Sequence, residues 1–95
     1  MSKSDETNFA SVWDAVADTL EQSANLRARA ELMQKIAAIV KDSHWTQAEA
    51  ASHCGVTQPR INELLRGRVS RFSLDALINI ATAIGCRVHV ELEVA

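Results

Sequence analysis

A row of long hydrogen-bonding side chains occupies a short segment near the middle of the 95-residue chain. The candidates for contacts to DNA bases are Gln58, Arg60, Asn62 and Glu63. A glutamine can bond N6 and N7 of adenine, an arginine can bond O6 and N7 of guanine, and a glutamate can accept from the amino group of cytosine. The candidates for contacts to phosphate are Thr57, Arg66, Arg68 and Arg71. The pattern predicts a surface that reads duplex DNA, unless the loop arginines only keep that loop soluble.

The histidines and cysteines are the other residues whose chemistry could form a site. They are His44, His53, His89, Cys54 and Cys86. His53 and Cys54 are adjacent on a predicted helix and so point about 100° apart, and the chain has no C-x-x-C or H-x-x-x-H spacing. A short helical chain also offers no obvious cleft for a nucleophile and its base. We therefore expect no metal ion, no other cofactor and no enzyme activity, and we expect both cysteines to be small core residues.

Two short helices are predicted to position the polar row. Thr46 and Glu49 have the T-x-x-E spacing of a capping box, which starts the first helix. Gly55 ends that helix, because glycine accepts the left-handed conformation of a C′ position. Thr57 caps the second helix, and Pro59 stands in its first turn, where no N–H is needed. The residues expected to face inward are Ala48, Ala51 and Cys54 in the first helix and Ile61, Leu64 and Leu65 in the second.

This segment resembles the helix-turn-helix of the Xre/Cro family of repressors. The residues that carry the resemblance are Gln47-Ala48, Ala51, Gly55 and Thr57-Gln58. The runs VTQPRINELLRG and FSLDAL are similar to those of HigA-type antitoxins, although Trp45 stands where that subfamily more often has leucine. The resemblance covers roughly residues 26–94. It implies a sequence-specific DNA-binding transcriptional repressor, the antitoxin of a type II toxin-antitoxin pair that represses its own operon, with Gln47 on phosphate.

Charge is distributed unevenly along the chain, whose formal net charge is −2. Residues 25–72 contain eight Lys or Arg and four Asp or Glu, whereas residues 1–24 contain one basic and five acidic residues. A basic middle beside an acidic end suits a DNA-binding core with a separate protein-binding arm. The sequence has no apolar run of the roughly 18 residues that a membrane span needs, no signal-peptide pattern and no disulfide framework. We therefore expect a cytoplasmic protein.

Residues 1–24 are predicted to form an acidic arm that contains an amphipathic helix. The helix would begin at Thr7 or Asn8, and its apolar residues at helical spacing are Phe9, Val12, Trp13, Val16 and Leu20. Two hypotheses stay open for this stripe. It packs on the core of its own domain, or Phe9, Val12, Trp13 and Val16 bind a toxin protein. Residues 21–25 show no apolar period and are predicted to be a break.

Residues 25–85 are predicted to form the DNA-binding domain. A helix over residues 26–43 would support the helix-turn-helix, because its apolar residues recur at helical spacing. Ser73 would cap a last helix that ends at Gly85. Phe72, just before that cap, is expected to lie in the core.

Residues 86–95 are predicted to be a dimerisation segment. Residues 87–94 alternate polar and apolar side chains and are rich in β-branched residues, which predicts a strand. The sequence predicts no second strand in this chain. The unpaired backbone groups of residues 87–94 would therefore require a partner strand from another copy. The dimerisation residues would be Val88, Val90, Leu92 and Val94. The full prediction is a mostly α, five-helix Xre/lambda-repressor-like bundle whose C-terminal β-strand pairs across a homodimer that binds a palindromic operator.

The competing interpretation belongs to a different functional class. A protein-interaction adaptor could keep the helix-turn-helix fold and lack DNA binding, and the low total charge favours this alternative. Salt-dependent binding to a promoter fragment would distinguish the two.

Overall fold

The computed structural model describes residues 19–94. Over this range the chain forms four α-helices and one short 3-10 helix, which confirms a mostly α fold. The helices are α1 (Leu20–Asp42), α2 (Gln47–Cys54), α3 (Gln58–Leu65) and α4 (Leu74–Ala83), and the 3-10 helix spans Val69–Arg71. The predicted fifth helix, with its possible toxin-binding residues Phe9, Val12, Trp13 and Val16, lies outside the described residues.

The start of α1 differs from the prediction. The break expected before Leu26 is wrong, because α1 begins at Leu20. The Thr19 hydroxyl accepts a hydrogen bond from the Gln22 N–H at 3.0 Å, and Glu21 in the first turn interacts favourably with the helix dipole. An exposed first turn needs no apolar repeat, so a search for periodicity misses it. The expected boundary between the acidic arm and the DNA-binding domain therefore lies inside α1.

The first helix of the motif begins and ends at its predicted capping residues, and the second helix begins at its predicted cap. The Thr46 N–H donates to Glu49 Oε1 at 2.9 Å, and the Glu49 N–H donates to Thr46 Oγ1 at 3.1 Å. Gly55 ends α2 with a φ of 71°, in the left-handed region. Thr57 Oγ1 then accepts from the Arg60 N–H at 3.4 Å at the start of α3. The capping box, the glycine stop and the second cap are thus confirmed.

The loop between α1 and α2 is closed by an aromatic stack. Trp45 lies against His53 with ring centroids 4.1 Å apart and an interplanar angle of 14°. His44 reaches this arrangement with a φ of 60°, a left-handed conformation that is uncommon for a residue other than glycine. The stack joins Trp45, two residues before the first residue of α2, to His53 in the last turn of the same helix.

One hydrophobic core holds the helices together. Its largest fully buried side chains are Phe72, Ile36, Ile61, Leu64 and Leu77. α1 packs mainly on α4 and on the 3-10 helix, while α2 packs on α3 and α4. The core position predicted for Phe72 is confirmed, and Leu65 packs at the edge of the core.

The buried face of α2 is made of small residues. Ala50, Ala51 and Cys54 are buried, whereas Ala48 is exposed, so the inward position predicted for Ala48 is wrong. Ala50 and Cys54 are four residues apart and lie one above the other on the helix surface. Small side chains allow α2 to pack closely on α3 and α4, the two helices that it contacts.

The C-terminal segment differs most from the prediction. Residues 86–94 have no regular secondary structure, so the predicted strand is absent from the described part of the single chain. Val88 packs against the core, but Val90, Leu92 and Val94 are 75%, 95% and 99% exposed. A strand needs a neighbour that accepts and donates its backbone hydrogen bonds, and residues 19–94 of one copy supply none.

Candidate nucleic-acid interface

The outward face of α3 carries a row of polar side chains that have no partners among the described residues. Gln58, Asn62 and Arg66 are exposed, and in residues 19–94 none of these three side chains has a hydrogen-bond partner. The opposite face is fixed, because Ile61 and Leu64 are buried in the core. Residues four apart on a helix share one face, so the three side chains project together into solvent. They are free to bond to the groove of a duplex.

Arg60 lies beside this row and is directed back onto the protein. Its guanidinium carbon is 4.0 Å from the centroid of the Phe72 ring. Its Nη1 donates to the carbonyl oxygen of Arg71 at 2.8 Å and lies 3.4 Å from Glu63 Oε1. A cation–π contact of this kind contributes about 0.5–1 kcal/mol at an exposed site. The base contact predicted for Arg60 stays a prediction, and it would require the guanidinium to leave these contacts.

Glu63 connects two arginines. Its Oε2 accepts from Arg71 Nη1 at 3.0 Å, and its Oε1 faces Arg60. The side chain of Arg71 is 57% exposed, so this ion pair contributes about 0–1 kcal/mol and exchanges easily with another anion. A contact from Glu63 to cytosine would compete with both arginines.

The loop after α3 is basic and held from two sides. Residues 66–72, called the arginine loop, contain three arginines and no acidic residue. On the inner side, Arg29 Nη1 from α1 donates to the carbonyl oxygens of Phe72 at 3.0 Å and Val69 at 3.4 Å. On the outer side, Arg60 holds the Arg71 carbonyl. Sequence reasoning missed the role of Arg29, because its partners lie more than a third of the chain away and leave no local signal.

The other predicted phosphate contacts lie at exposed helix ends. Gln47 is the first residue of α2, and Thr57 is the residue before α3. The Thr57 oxygen accepts from the Arg60 N–H, which leaves its hydroxyl hydrogen free to donate. Arg66 and Arg68 are both exposed at the end of α3. The structure thus brings all five predicted phosphate contacts, Gln47, Thr57, Arg66, Arg68 and Arg71, to the two helices of the motif and the loop that follows.

The cysteines and histidines do not converge. Within residues 19–94 there is no group of three or more His, Cys, Asp or Glu side chains that could hold a metal ion. Cys54 is buried and Cys86 is half-buried, and both are free thiols. Burial raises the pKa of the Cys54 thiol, which keeps it protonated and unreactive.

Comparison with known proteins agrees with this geometry. Residues 15–93 match a protein family described as "Helix-turn-helix domain". The chain belongs to this family. The match spans α1 to α4 and the arginine loop, and membership points to a DNA-binding regulator. No curated protein matches the chain. Among the described residues, no helix has the length and apolar character that crossing a membrane requires.

Proposed function

We propose that this helix-turn-helix protein is a homodimeric, sequence-specific transcriptional repressor of the Xre type, related to HigA-like antitoxins. The observation that carries the proposal is the outward face of α3, where Gln58, Asn62 and Arg66 have no partners within the described residues and lead into an arginine-rich loop. Side chains of these types on an anchored helix suit the major groove. The flanking arginines suit the phosphates on either side.

Two roles are divided among the residues of this surface. Gln58 and Asn62 read base edges, because glutamine and asparagine can each bond N6 and N7 of adenine. Arg66, Arg68 and Arg71 bind phosphate oxygens and set the position of α3 without reading sequence.

The proposal is tested with the DNA that lies upstream of the protein's own gene. Fluorescence anisotropy compares that duplex with a shuffled duplex of equal length and composition. We expect tighter binding to the upstream duplex, and we expect affinity for both to fall steeply between about 50 and 200 mM salt because phosphate contacts release counterions. The adaptor interpretation predicts no salt-dependent binding to either duplex, so that result would reject the repressor.

The homodimer is supported by an apolar groove beside the C-terminal segment. The groove has a volume of about 540 Å³ and lies between α1, α4 and residues 86–91. Its apolar lining includes Leu32, Ile36, Ile39, Leu74, Ile78 and Val88. We propose that residues 87–94 of a second copy pair with the same residues of the first, antiparallel, and that their apolar side chains cover this groove.

The energies permit such a dimer. Burying a valine or leucine stabilises by about 1.5–3 kcal/mol, and Val90, Leu92 and Val94 are exposed in the single chain. Two copies contribute six such side chains, and the cost of association is about 4–15 kcal/mol. The dimer would also present two copies of α3 to a palindromic operator.

The antitoxin role rests on the acidic N-terminal residues and on the resemblance to HigA-like proteins. A basic toxin would suit an acidic segment that lies outside the DNA-reading surface. Because α1 begins at Leu20, deletion of residues 1–18 leaves the described helices whole. We expect this deletion to abolish binding to the protein encoded by the adjacent gene. DNA affinity should change less than about threefold, because alterations of exposed residues usually have small energetic effects. A repressor of this kind acts on chromosomal DNA, which fits a cytoplasmic location.

A further inference from the structure

We propose that Arg60 is a positioning residue. Its contacts hold the arginine loop in a position in which Arg71 binds a DNA phosphate. This inference rests on the proposed DNA binding and assigns a new role within the same surface. The latch is defined here as the contacts of the Arg60 guanidinium with Phe72, Glu63 and the Arg71 carbonyl oxygen.

Two arginine side chains hold the backbone of the loop. Arg60 Nη1 donates to the Arg71 carbonyl oxygen at 2.8 Å, the shortest hydrogen bond that Arg60 forms. Arg29 Nη1 donates to the carbonyl oxygen of the next residue, Phe72, at 3.0 Å. Two consecutive peptide groups are therefore fixed by two arginines, one from α3 and one from α1. The backbone that carries the Arg71 side chain has little freedom to rotate.

Glu63 orients the side chain of Arg71. Glu63 accepts from Arg71 Nη1 at 3.0 Å and is itself in contact with Arg60 at 3.4 Å. Arg71 is thus held over the flank of α3 while more than half of its side chain stays in solvent. A phosphate that approaches α3 can take Arg71 from Glu63, since an exposed ion pair is weak. The guanidinium arrives already oriented, which reduces the entropy lost on binding.

The contacts of the latch prevent Arg60 from making a two-bond contact to guanine. A guanine contact uses two nitrogens of the guanidinium in the plane of the base. In the latch the guanidinium carbon lies over the Phe72 ring, and Nη1 donates to the Arg71 carbonyl oxygen. Arg60 therefore acts through Arg71 and contacts no base.

The test is a double-mutant cycle on a duplex of arbitrary sequence, because a phosphate contact does not depend on sequence. Arg60→Met keeps an unbranched side chain over Phe72 and removes the guanidinium, and Arg71→Ala removes the phosphate contact but keeps the carbonyl. Each change should weaken binding about fivefold at physiological salt and lower the salt slope by about one unit, as loss of one phosphate contact does. The double variant should bind no more weakly than the weaker single variant, since both changes remove the same contact.

A matched cycle pairs Arg60→Met with Arg66→Ala. Arg66 is exposed and has no hydrogen bond to the latch, so here the two losses should multiply. Thermal melting by circular dichroism shows that each variant is folded at the assay temperature. If Arg60→Met is not folded there, Arg60→Lys replaces it, because lysine keeps the charge and the stem but cannot stack a guanidinium on Phe72. A purely structural role would lower the melting temperature without changing the salt slope.

The outcomes separate the latch from the proposed function. If the wild-type protein binds no duplex, both are rejected. If the wild-type protein binds and the Arg60 and Arg71 losses multiply, the latch alone is rejected. Selection of preferred duplexes from a random pool by the wild type and by Arg60→Met provides a second criterion. The latch predicts the same preferred sequence for both, and a changed preference at one base pair would instead make Arg60 a base reader.

Discussion

At the scale of single residues, neighbouring polar side chains on α3 have different environments. Gln58 and Asn62 project into solvent without partners in the described structure, whereas Arg60 and Glu63 bond to each other and to the following loop. The sequence shows that all four can form hydrogen bonds. It does not show which of them have an intramolecular partner, because Arg60 contacts a ring and a carbonyl group from the loop that follows α3.

The first prediction concerns Asn62. Asn62→Ala should weaken binding to the preferred duplex by about 1–3 kcal/mol and relax the preference at one base pair, since a two-bond contact to a base is lost. Binding to a shuffled duplex should stay unchanged. The matched control is Asn79→Ala on the exposed side of α4, which should affect neither duplex. Equal losses on both duplexes would show that Asn62 binds phosphate.

The second prediction concerns Cys54. Burial raises its pKa in the folded protein above that in the unfolded chain. The folded state therefore keeps the thiol proton at pH values where the unfolded chain loses it. The resulting stability is complete below the ordinary thiol pKa and is lost as the pH rises through the folded value.

Urea unfolding at a series of alkaline pH values measures this effect. The free energy of unfolding of the wild type should fall as the pH rises above the ordinary thiol range, and the fall should be smaller in Cys54→Ala. Cys86→Ala keeps Cys54 and serves as the control, which should retain the larger fall. Parallel pH profiles for the wild type and Cys54→Ala would contradict the prediction.

At the scale of secondary-structure elements, the sequence predicts what is local and misses what is not. The capping box at Thr46, the stop at Gly55 and the Ser73 cap each depend on residues within four positions, and all three are present. The apolar periodicity of the sequence does not predict the start of α1, because the first turns of this helix are largely exposed and carry no apolar repeat. The contacts of Arg29 with the loop join residues about 40 positions apart, which no local pattern encodes.

The third prediction concerns the capping box. Thr46→Ala should lower the free energy of unfolding by about 0.5–2 kcal/mol, because the Glu49 N–H loses its acceptor at the start of α2. Thermal and urea denaturation measure the change. Ser52→Ala lies on the exposed side of the same helix and should change stability by less than about 0.5 kcal/mol. Equal effects of the two substitutions would show that the cap adds little to the stability of the motif.

At the scale of the whole molecule, most apolar side chains of the C-terminal segment are exposed in the single chain. Val88 packs on the core. Val90, Leu92 and Val94 are exposed to solvent, and the segment lies beside a largely apolar groove. The alternation is visible in the sequence. How much of the segment one chain buries depends on long-range packing, which no local pattern encodes.

The fourth prediction concerns this segment. Leu92→Asp should convert the dimer to a monomer, because a charge would be placed in the apolar interface without a partner. Sedimentation equilibrium at micromolar concentration measures the change in mass. Glu93→Asp is the matched control on the alternate face of the segment and should leave the dimer intact. A wild-type monomer, or a dimer that survives Leu92→Asp, would place the interface on another surface.

The separation of the two faces of α3 has a consequence for how new regulators could arise from this chain. Ile61 and Leu64 hold the helix in the core, while Gln58 and Asn62 are exposed and form no side-chain hydrogen bond within the described residues. Under the proposed base contacts, exchanges at Gln58 and Asn62 would change the preferred operator without a compensating change in the core. Duplicated copies that diverge only at these two positions could control separate genes in one cell without cross-talk, and the same exchange is open to a designer of genetic circuits.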